Sequence, residues 1–303
     1  MAQQSSPESL FVSLLALQWS EPFWKLQLAA FMVFFTLCWV EGLSARPRRP
    51  PLPERPLVTD MFYWMLIPSV RVVSRIAAAV VLVPLALLLG LEAGPQLWNG
   101  FGPIAQQPRL LIAIELLVLV DLSSYWTHRA FHRFPALWRF HAIHHSAKLI
   151  RWATTGRVHP VNEAVNYLVS VVPFFLVGFP IKAVLPLIPF VVAYAVAAHA
   201  NWNPSFGPFK KVLASPRYHR WHHTHSDEGG NKNFANMFAF WDLLFGTYYL
   251  PEDRIAQDFG LDDDDVPEGY LGQLAYPFRK TRAQPARSSD GGEGLVGARK
   301  IEL

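Results

Sequence analysis

Imidazole side chains are the residues of this sequence best suited to do chemistry, and their spacing favours metal binding. The stretch HRAFHRFPALWRFHAIHH, residues 128–145, contains five of the chain's eleven histidines, and HRWHH, residues 219–223, contains three more. Side chains three or four residues apart share one face of a helix. The sequence therefore predicts three helical sets: His128 and His132; His141, His144 and His145; His219, His222 and His223.

Metal ligation explains this density better than a structural role does. Neutral imidazole is available near pH 7 and is the commonest metal-binding side chain. Eight rings packed together without a metal would leave repelling cations or unpaired donors. One tetrahedral zinc needs only three or four ligands, so we predict two metal ions that share a site.

Two isolated histidines are further candidate ligands. His159, in RVHP, precedes a hydrophobic hairpin, and His199, in AHANW, ends it. Because the hairpin should return the chain to the boundary where the other histidines lie, we predict both as ligands. His225, in HHTHS, is expected to lie at the surface or outside the ligand shell.

The composition indicates a membrane protein. Hydrophobic residues make up 51% of the chain and charged residues 17%, where soluble domains have about 25% charged residues. The basic residues cluster at 45–55 and after Phe278. That distribution suits membrane-facing loops, so no nucleic-acid partner is predicted.

The hydrophobic runs predict an all-α integral membrane protein with four to five transmembrane helices and a cytosolic histidine-rich helical cap. A spanning helix needs about 20 mostly apolar residues, and the shorter run 61–70 is expected to lie at the interface. We predict N-terminal membrane segments over 1–108, a histidine-rich domain over 109–278 and a disordered tail over 279–303. The candidate spans are 26–43, 76–91, 110–126, 164–179 and 183–200.

Charge in the loops predicts the orientation. The loop 44–75 carries Arg46, Arg48, Arg49 and Arg55, and an excess of basic residues marks cytoplasmic loops. The loop 92–108 should then face outward, and the next span returns the chain. We therefore expect the histidines at the cytoplasmic face of a membrane, with the bacterial inner membrane as the expected location.

Six motifs in order resemble one known family. DLSSYWTHRAFH, HAIHHS, RVHP, HANW, RYHRWHH and NFANMFAFWDLLFGTYYLP lie within residues 110–250. They resemble the fatty acid hydroxylase / sterol desaturase superfamily, which are integral-membrane non-haem di-iron oxygenases. The chain departs from the family's NYG or NFG pattern with NFA at 233–235, which touches no candidate ligand.

The resemblance implies two iron ions, with zinc as a substitute. It also implies an O2-dependent oxidoreductase that hydroxylates or desaturates a C–H bond of a membrane lipid. Sterols, fatty acyl chains, ether lipids, carotenoids and amino-lipids all stay open as substrates. The implied metal ligands are His128, His132, His141, His144, His145, His159, His199, His219, His222 and His223.

Electrons must come from a separate donor, because no G-x-G-x-x-G motif for a nicotinamide or flavin cofactor follows a strand. We expect a ferredoxin or a cytochrome-type reductase as this external partner. A basic surface is expected to dock it. The residues predicted for that surface are Arg139, Lys148, Arg151, Lys210 and Lys211.

An outer carboxylate is predicted to offset the neutral, all-imidazole ligand shell. Asp121 lies seven residues before His128, about two turns earlier on the same helix face. Carboxylates at that depth in a membrane are costly and usually functional. We therefore predict Asp121 in the catalytic site, with Glu163 and Asp242 as weaker candidates for the same role.

Two other functions fit a membrane protein rich in histidine. A non-catalytic metal transporter or sensor is disfavoured, because only Glu115 and Asp121 are ionisable within the clearest spans. A zinc-dependent membrane hydrolase would want a glutamate within a histidine motif, as in H-E-x-x-H. HRAFH and HAIHH contain no glutamate.

Overall fold

The computed structural model describes Met32, Thr36 and residues 55–91, 95–170, 172–263 and 265–279. Every regular element in these ranges is helical, which confirms the predicted fold class. The α-helices are α1 (Arg55–Leu88), α2 (Pro95–Asn99), α3 (Gly102–Ala105), α4 (Arg109–Arg133), α5 (Pro135–His145), α6 (Pro160–Ser170), α7 (Val172–Leu176), α8 (Ile181–Val184), α9 (Ile188–His199), α10 (Pro216–His222), α11 (Phe240–Leu244) and α12 (Tyr270–Ala275). Short 3₁₀ turns cover Trp152–Gly156, Leu185–Leu187, Gly207–Lys211 and Tyr276–Phe278.

Three helical segments of the described chain are long and apolar enough to cross a membrane, as expected of a membrane protein. They are Pro56–Leu88, Arg109–Arg133 and Ile181–His199. The predicted span 26–43 lies outside the described residues, apart from Met32 and Thr36. A total of four to five spans therefore stays a prediction, as does the division into domains at 108 and 278.

Helix α1 corrects the prediction for the region before residue 91. A separate interfacial run at 61–70 and a span beginning at 76 were expected, but α1 is continuous over 34 residues and contains Pro68 and Pro84. At 1.5 Å per residue it is about 50 Å long, more than one hydrocarbon layer. Proline is tolerated inside such helices because neighbouring groups satisfy the freed carbonyls.

The first arm of the predicted hairpin contains two described helices. Within the expected span 164–179 lie most of α6, which has 11 residues, and all of α7, which has five, and residue 171 between them lies outside the described residues. A single span over 164–179 therefore stays a prediction. Helix α6 packs between α1 and α4, and so serves as an internal support for the site.

Apolar packing holds α1 against the hairpin. One buried cluster joins α1, α2, α7 and α8 through small and branched side chains, which allow close approach of helices. A second buried cluster lies beyond the hairpin, where Trp221 of α10 packs on Ile150 and Phe259. The residues of the first cluster are Ala78, Leu82, Ala86, Leu97, Val172, Phe175 and Ile181.

The candidate chemistry lies where two long apolar segments end. His128 and His132 occupy the last two turns of α4, and His199 is the last residue of α9. Helix α5 follows α4 after Phe134 alone, so it folds straight back beside it. Helix α10 packs on α9 and completes the histidine-bearing end of the bundle.

Gly178 makes the tight turn at the opposite end of the hairpin. Its φ is +107°, and its carbonyl accepts a hydrogen bond from the Phe101 amide at 3.2 Å. A Cβ added at Gly178 would lie 2.4 Å from the Phe101 carbonyl oxygen. Only glycine therefore fits the turn that connects α7 to the long segment Ile181–His199.

We expect Gly178→Ala to destabilise the protein by more than about 2 kcal/mol, because it adds a clash with backbone to an unfavourable φ. Gly102→Ala is the matched control. Its φ is +65° and its added Cβ meets no atom within 4 Å, so only the backbone cost of about 1–2 kcal/mol applies. Melting temperatures of the purified variants in detergent measure both, and equal losses would contradict the role given to the Phe101 contact.

Candidate metal centre

Nine histidines form two compact groups at the end of the helical bundle. Within each group, one ring nitrogen from every histidine lies within 4.8 Å of the others. Each group could hold one metal ion. Group one contains His128, His132, His141, His145 and His222; group two contains His144, His199, His219 and His223.

The two H-x2-H-H motifs each contribute to both groups. Helix α5 gives His141 and His145 to group one and His144 to group two, whereas α10 gives His222 to group one and His219 to group two. His223, the last histidine of the second motif, directly follows α10 and also belongs to group two. The motif spacing thus places two ligand sets side by side.

The groups adjoin each other through consecutive residues. The rings of His145 and His223 stack with centroids 4.6 Å apart and planes 25° from parallel. The ring of His222 lies 5.4 Å from that of His223, across the same boundary. The arrangement therefore provides two neighbouring metal positions within one cluster.

The cluster is shielded from solvent. His222 and His223 have no exposed surface, and His145 has 2%. Burial disfavours a charged ring, and it holds the pKa values of His145, His222 and His223 well below the usual value. These rings are neutral at physiological pH and keep a lone pair for a metal.

Oxygen acceptors hold the outer ring nitrogen of six of these histidines. A carbonyl oxygen can only accept, so each Nδ1 must carry the proton, and Nε2 keeps its lone pair. The pairs are His128 with the Phe234 carbonyl (2.8 Å), His132 with Asn231 Oδ1 (3.4 Å), His141 with Asn162 Oδ1 (2.9 Å), His144 with the Arg157 carbonyl (3.3 Å), His199 with the Ala195 carbonyl (2.8 Å) and His222 with the Lys232 carbonyl (2.7 Å).

The inner nitrogens consequently face each other with lone pairs. The Nε2 atoms of His128 and His141 lie 3.0 Å apart, although both rings donate from Nδ1. The Nε2 atoms of His144 and His199 lie 3.2 Å apart in the same situation. Two lone pairs at this distance repel each other unless a cation lies between them.

Buried ring nitrogens without a hydrogen-bond partner also indicate that the histidine groups bind metal. They include Nε2 of His132, His145 and His222, all of them in group one. An orphaned buried polar atom costs about 1–3 kcal/mol, and ligation removes that cost. The donor set therefore fits a transition metal that prefers imidazole, such as iron, zinc, copper or nickel. No carboxylate of the described residues belongs to either group.

His159 does not join the cluster. Its Nδ1 accepts from the Val161 amide at 3.1 Å, and its Nε2 donates to the Leu274 carbonyl at 3.2 Å. Both ring nitrogens are therefore engaged, and the side chain caps the start of α6. The structure thus corrects the expectation that both isolated histidines reach the metal positions: His199 does and His159 does not.

Asp121 also lies away from the histidine groups. Its two carboxylate oxygens accept from the amides of Met237 (3.0 Å) and Phe238 (2.9 Å). The carboxylate fixes the loop before α11 and contacts no candidate ligand, so the structure does not support the predicted place in the catalytic site. The two turns from Asp121 to His128 indicated the correct face, but they did not indicate which backbone donors would face the carboxylate.

The weaker carboxylate candidates have different surroundings. Glu163 lies 3.9 Å from Arg71 and is half-buried. Asp242 has no exposed surface and accepts from the Phe234 amide at 2.8 Å, next to the carbonyl that His128 uses. Burial raises the pKa of Asp242, and hydrogen bonds from Tyr218 and neighbouring groups oppose that increase.

Sequence reasoning did not identify several residues that orient the histidines through hydrogen bonds. Asn162 supports His141, and the loop 231–234 supplies carbonyl acceptors to His128 and His222. Two signals were present in the sequence: a polar Asn near the start of an apolar helix, and the polar NKNF segment between two motifs. Main-chain acceptors leave no trace in side-chain types, which is why the loop was overlooked.

The predicted basic docking surface is only partly formed. Arg151 has 2% exposed surface and cannot meet a partner protein. Lys210 forms an ion pair with Glu252, and Arg139 donates to the main chain of Tyr276. His225 lies in neither group and pairs with Asp262 at 3.3 Å, as expected of a surface residue.

The histidine-bearing part of the chain is similar in sequence to known proteins. Residues 113–247, which include both histidine groups, match the family model described as Fatty acid hydroxylase. Ornithine lipid hydroxylase OlsE of Rhizobium tropici is 33% identical over 180 residues, 59% of this chain and 54% of that protein. Alkylglycerol monooxygenase of Danio rerio is 29% identical over 136 residues, 45% of this chain and 30% of that protein.

A plant relative extends the range of chemistries. Very-long-chain aldehyde decarbonylase GL1-7 of Oryza sativa subsp. japonica is 24% identical over 161 residues, 49% of this chain and 25% of that protein. The chain spans about half the length of the ornithine lipid hydroxylase and less than a third of the alkylglycerol monooxygenase. No solved structure matches the chain. The resemblance stated from the histidine motifs is confirmed.

We expect His145→Asn to lower the metal-to-protein ratio of the purified protein, because His145 belongs to group one and its Nε2 has no other partner. His159→Asn is the matched control, since Asn also caps helices well and His159 lies outside both groups. Elemental analysis gives the ratios. Equal loss of metal in the two variants would contradict the assignment of His159 to a capping role.

The metal-free protein should lose stability as the pH falls from about 7 to about 5. The pKa values of His144, His145 and His223 are lowered by burial from 6.5. Below the unfolded value, the unfolded chain takes up protons that the folded chain does not, so unfolding is favoured; above it, these rings contribute no pH dependence. Melting temperatures of metal-free samples across this range test the sign, and a flat profile would contradict it.

Proposed function

We propose, from the membership of this chain in the fatty acid hydroxylase family through residues 113–247, that it is a membrane-bound di-iron oxygenase. It hydroxylates a C–H bond of a membrane lipid with O2 and with electrons from a separate donor. The nine rings of the two histidine groups hold the two iron ions. His159 and Asp121, which sequence reasoning placed in the site, are not part of this proposal.

One observation carries the proposal: unprotonated Nε2 atoms face each other in both groups. The distances are 3.0 Å between His128 and His141 and 3.2 Å between His144 and His199. The outer nitrogen of each of these rings is already occupied by an oxygen acceptor. Such an arrangement is built for cations, and imidazole ligands suit iron.

When bound, iron supplies the O2 activation needed to break an unactivated C–H bond, which protein side chains alone do not perform. The chain's own part is to orient and to shield. Oxygen acceptors on Nδ1 fix the planes of the rings, and burial of His222 and His223 keeps bulk water away. Because the rings are neutral, the site adds no negative charge beside a hydrocarbon substrate.

The position of the site favours a substrate that stays in the membrane. Arg109–Arg133 and Ile181–His199 both end at the histidines. Large apolar side chains on these segments, such as Ile114 and Phe190, are exposed in the structure, as expected of surfaces that face lipid. A lipid chain could therefore reach the metal positions from the side. Two of the relatives are named for the hydroxylation or monooxygenation of a lipid.

The histidines are proposed to face the cytoplasm. The buried ion pair between Arg157 and Asp60, at 2.7 Å, holds the start of α1 at the histidine-bearing end. Arg46, Arg48 and Arg49 precede that start in the sequence. Basic residues mark the cytoplasmic side, where a ferredoxin or cytochrome-type reductase would supply the electrons. The bacterial inner membrane is the proposed location.

The decisive experiment compares lipid extracts of a host that expresses this chain with extracts of the same host that expresses His145→Ala. We expect a lipid that has gained one oxygen atom in the first host only. Growth under isotopically labelled O2 should place the label in that product. Immunoblots of the membrane fraction confirm that both chains are inserted at equal levels.

Other outcomes would overturn the proposal in distinct ways. A product that has lost two hydrogen atoms without gaining oxygen would indicate desaturation. Hydrolysis products with bound zinc would indicate the hydrolase. That outcome is disfavoured, because neither histidine group of the described chain contains a carboxylate that could act as the base. An unchanged product in His145→Ala would exclude group one from the reaction.

A further inference from the structure

We infer that Asp242 is a positioning residue for group one, acting on His128 through the peptide group between Phe234 and Ala235. The inference rests on the proposed function, since it concerns how tightly one of two iron ions is held. It gives a defined role to a carboxylate outside the ligand shell. It also makes the two metal positions electronically unequal.

The Asp242 carboxylate is surrounded by hydrogen-bond donors. Oδ1 accepts from the Phe234 amide at 2.8 Å and from the Thr247 hydroxyl at 2.7 Å. Oδ2 accepts from the Ala235 amide at 2.8 Å and from the Tyr218 hydroxyl. Four donors fix the buried carboxylate, and the carboxylate in turn fixes the orientation of the peptide group between Phe234 and Ala235.

The Ala235 N–H and the Phe234 carbonyl belong to the same peptide group, so Asp242 binds one end of that group and a candidate ligand binds the other. The Phe234 carbonyl accepts from His128 Nδ1 at 2.8 Å. A carboxylate that accepts from a peptide N–H polarises the peptide and makes its carbonyl a stronger acceptor. The stronger acceptor in turn raises the basicity of the imidazole that donates to it. Negative charge from Asp242 thus reaches His128 without a carboxylate entering the ligand shell.

Asp242 also joins two of the three helices that carry ligands of group one. Tyr218, which donates to Asp242, lies one turn before His222 on α10. Thr247, the other hydroxyl donor, is 2.8 Å from the Tyr125 hydroxyl, and Tyr125 lies one turn before His128 on α4. A single side chain therefore sets the spacing between α4 and α10.

Group two has no equivalent connection to a carboxylate among the contacts of its described residues. The acceptor of His144 is the carbonyl of Arg157, whose guanidinium pairs with Asp60. The acceptor of His199 is the Ala195 carbonyl within α9 itself. We therefore expect changes at Asp242 to affect one metal position and not the other.

Asp121, on α4, provides a matched control because it binds the same loop. It too is a buried carboxylate that accepts two main-chain amides, those of Met237 and Phe238. Neither of those peptides is bonded to a histidine of group one or group two in the contacts above. Asp121→Asn and Asp242→Asn should therefore destabilise the fold in similar ways, while only Asp242→Asn alters a metal position.

The test uses the full chain purified in detergent, freed of metal and titrated anaerobically with ferrous iron against a chelator. We expect Asp242→Asn to weaken one of the two iron sites by about 10–100-fold, the usual cost of losing a residue that orients a ligand. Asp121→Asn should leave both affinities unchanged. In Mössbauer spectra of the iron-loaded proteins, only one of the two iron signals should shift in Asp242→Asn.

Two unchanged iron sites in Asp242→Asn would overturn the inference, as would equal changes in both variants. If Asp242→Asn does not fold, Thr247→Val decides the question. That variant removes one of the four donors to the Asp242 carboxylate. The carboxylate then becomes a stronger acceptor for the Ala235 amide, so the group-one signal should shift in the opposite direction. No shift in Thr247→Val would then overturn the inference. A wild-type chain that binds no iron would instead overturn the proposed function.

Discussion

Oxygen acceptors on the outer nitrogens of the histidines are the constraint on which the structure depends. Six rings turn Nε2 inward because Nδ1 is already bonded to oxygen. The acceptors come from separate parts of the chain, including the 231–234 loop, α6 and the turn before it. Those parts must be held in place before any metal is bound. Much of the bundle therefore serves to position oxygen atoms around imidazoles.

This requirement explains how the buried charges are used. Asp121 and Asp242 do not approach the metal positions; they fix the backbone between residues 233 and 239 through amide hydrogen bonds. Arg157 pairs with Asp60 and gives its carbonyl to His144. Buried charges are costly unless they are paired or hydrogen-bonded. Here each carboxylate organises main chain next to a ligand, and the ligand shell itself stays neutral.

The sequence predicted the helical class and two of the long apolar segments. It also predicted ten candidate ligands, and nine of them lie in the two histidine groups. Periodicity carried these predictions, since spacings of three and four place side chains on one helix face. It did not show that one H-x2-H-H motif serves two metal positions, as His144 and His145 do. That division depends on the crossing of α5 and α10, which is a tertiary property.

Sequence reasoning was wrong where the position of an isolated residue depends on tertiary packing. His159 and His199 looked alike in sequence, yet the first caps α6 with both ring nitrogens and the second reaches group two. Helix α1 was divided in prediction because Arg71 and Arg75 lie between its two apolar runs, although α1 is continuous in the structure and packs on α6. Local sequence pattern therefore identified the candidate ligands, and tertiary packing determined which of them lie together.

The unequal size of the two groups has a consequence for access to the site. Group one offers five rings and group two offers four. A metal with more protein ligands retains fewer open positions, and catalysis needs an open position. Under the proposed function, the ion in group two is therefore the better placed to face the substrate. Both groups have a candidate ligand at the end of a long apolar segment, His132 in Arg109–Arg133 and His199 in Ile181–His199, so the number of rings, and not the distance from lipid, is what separates them.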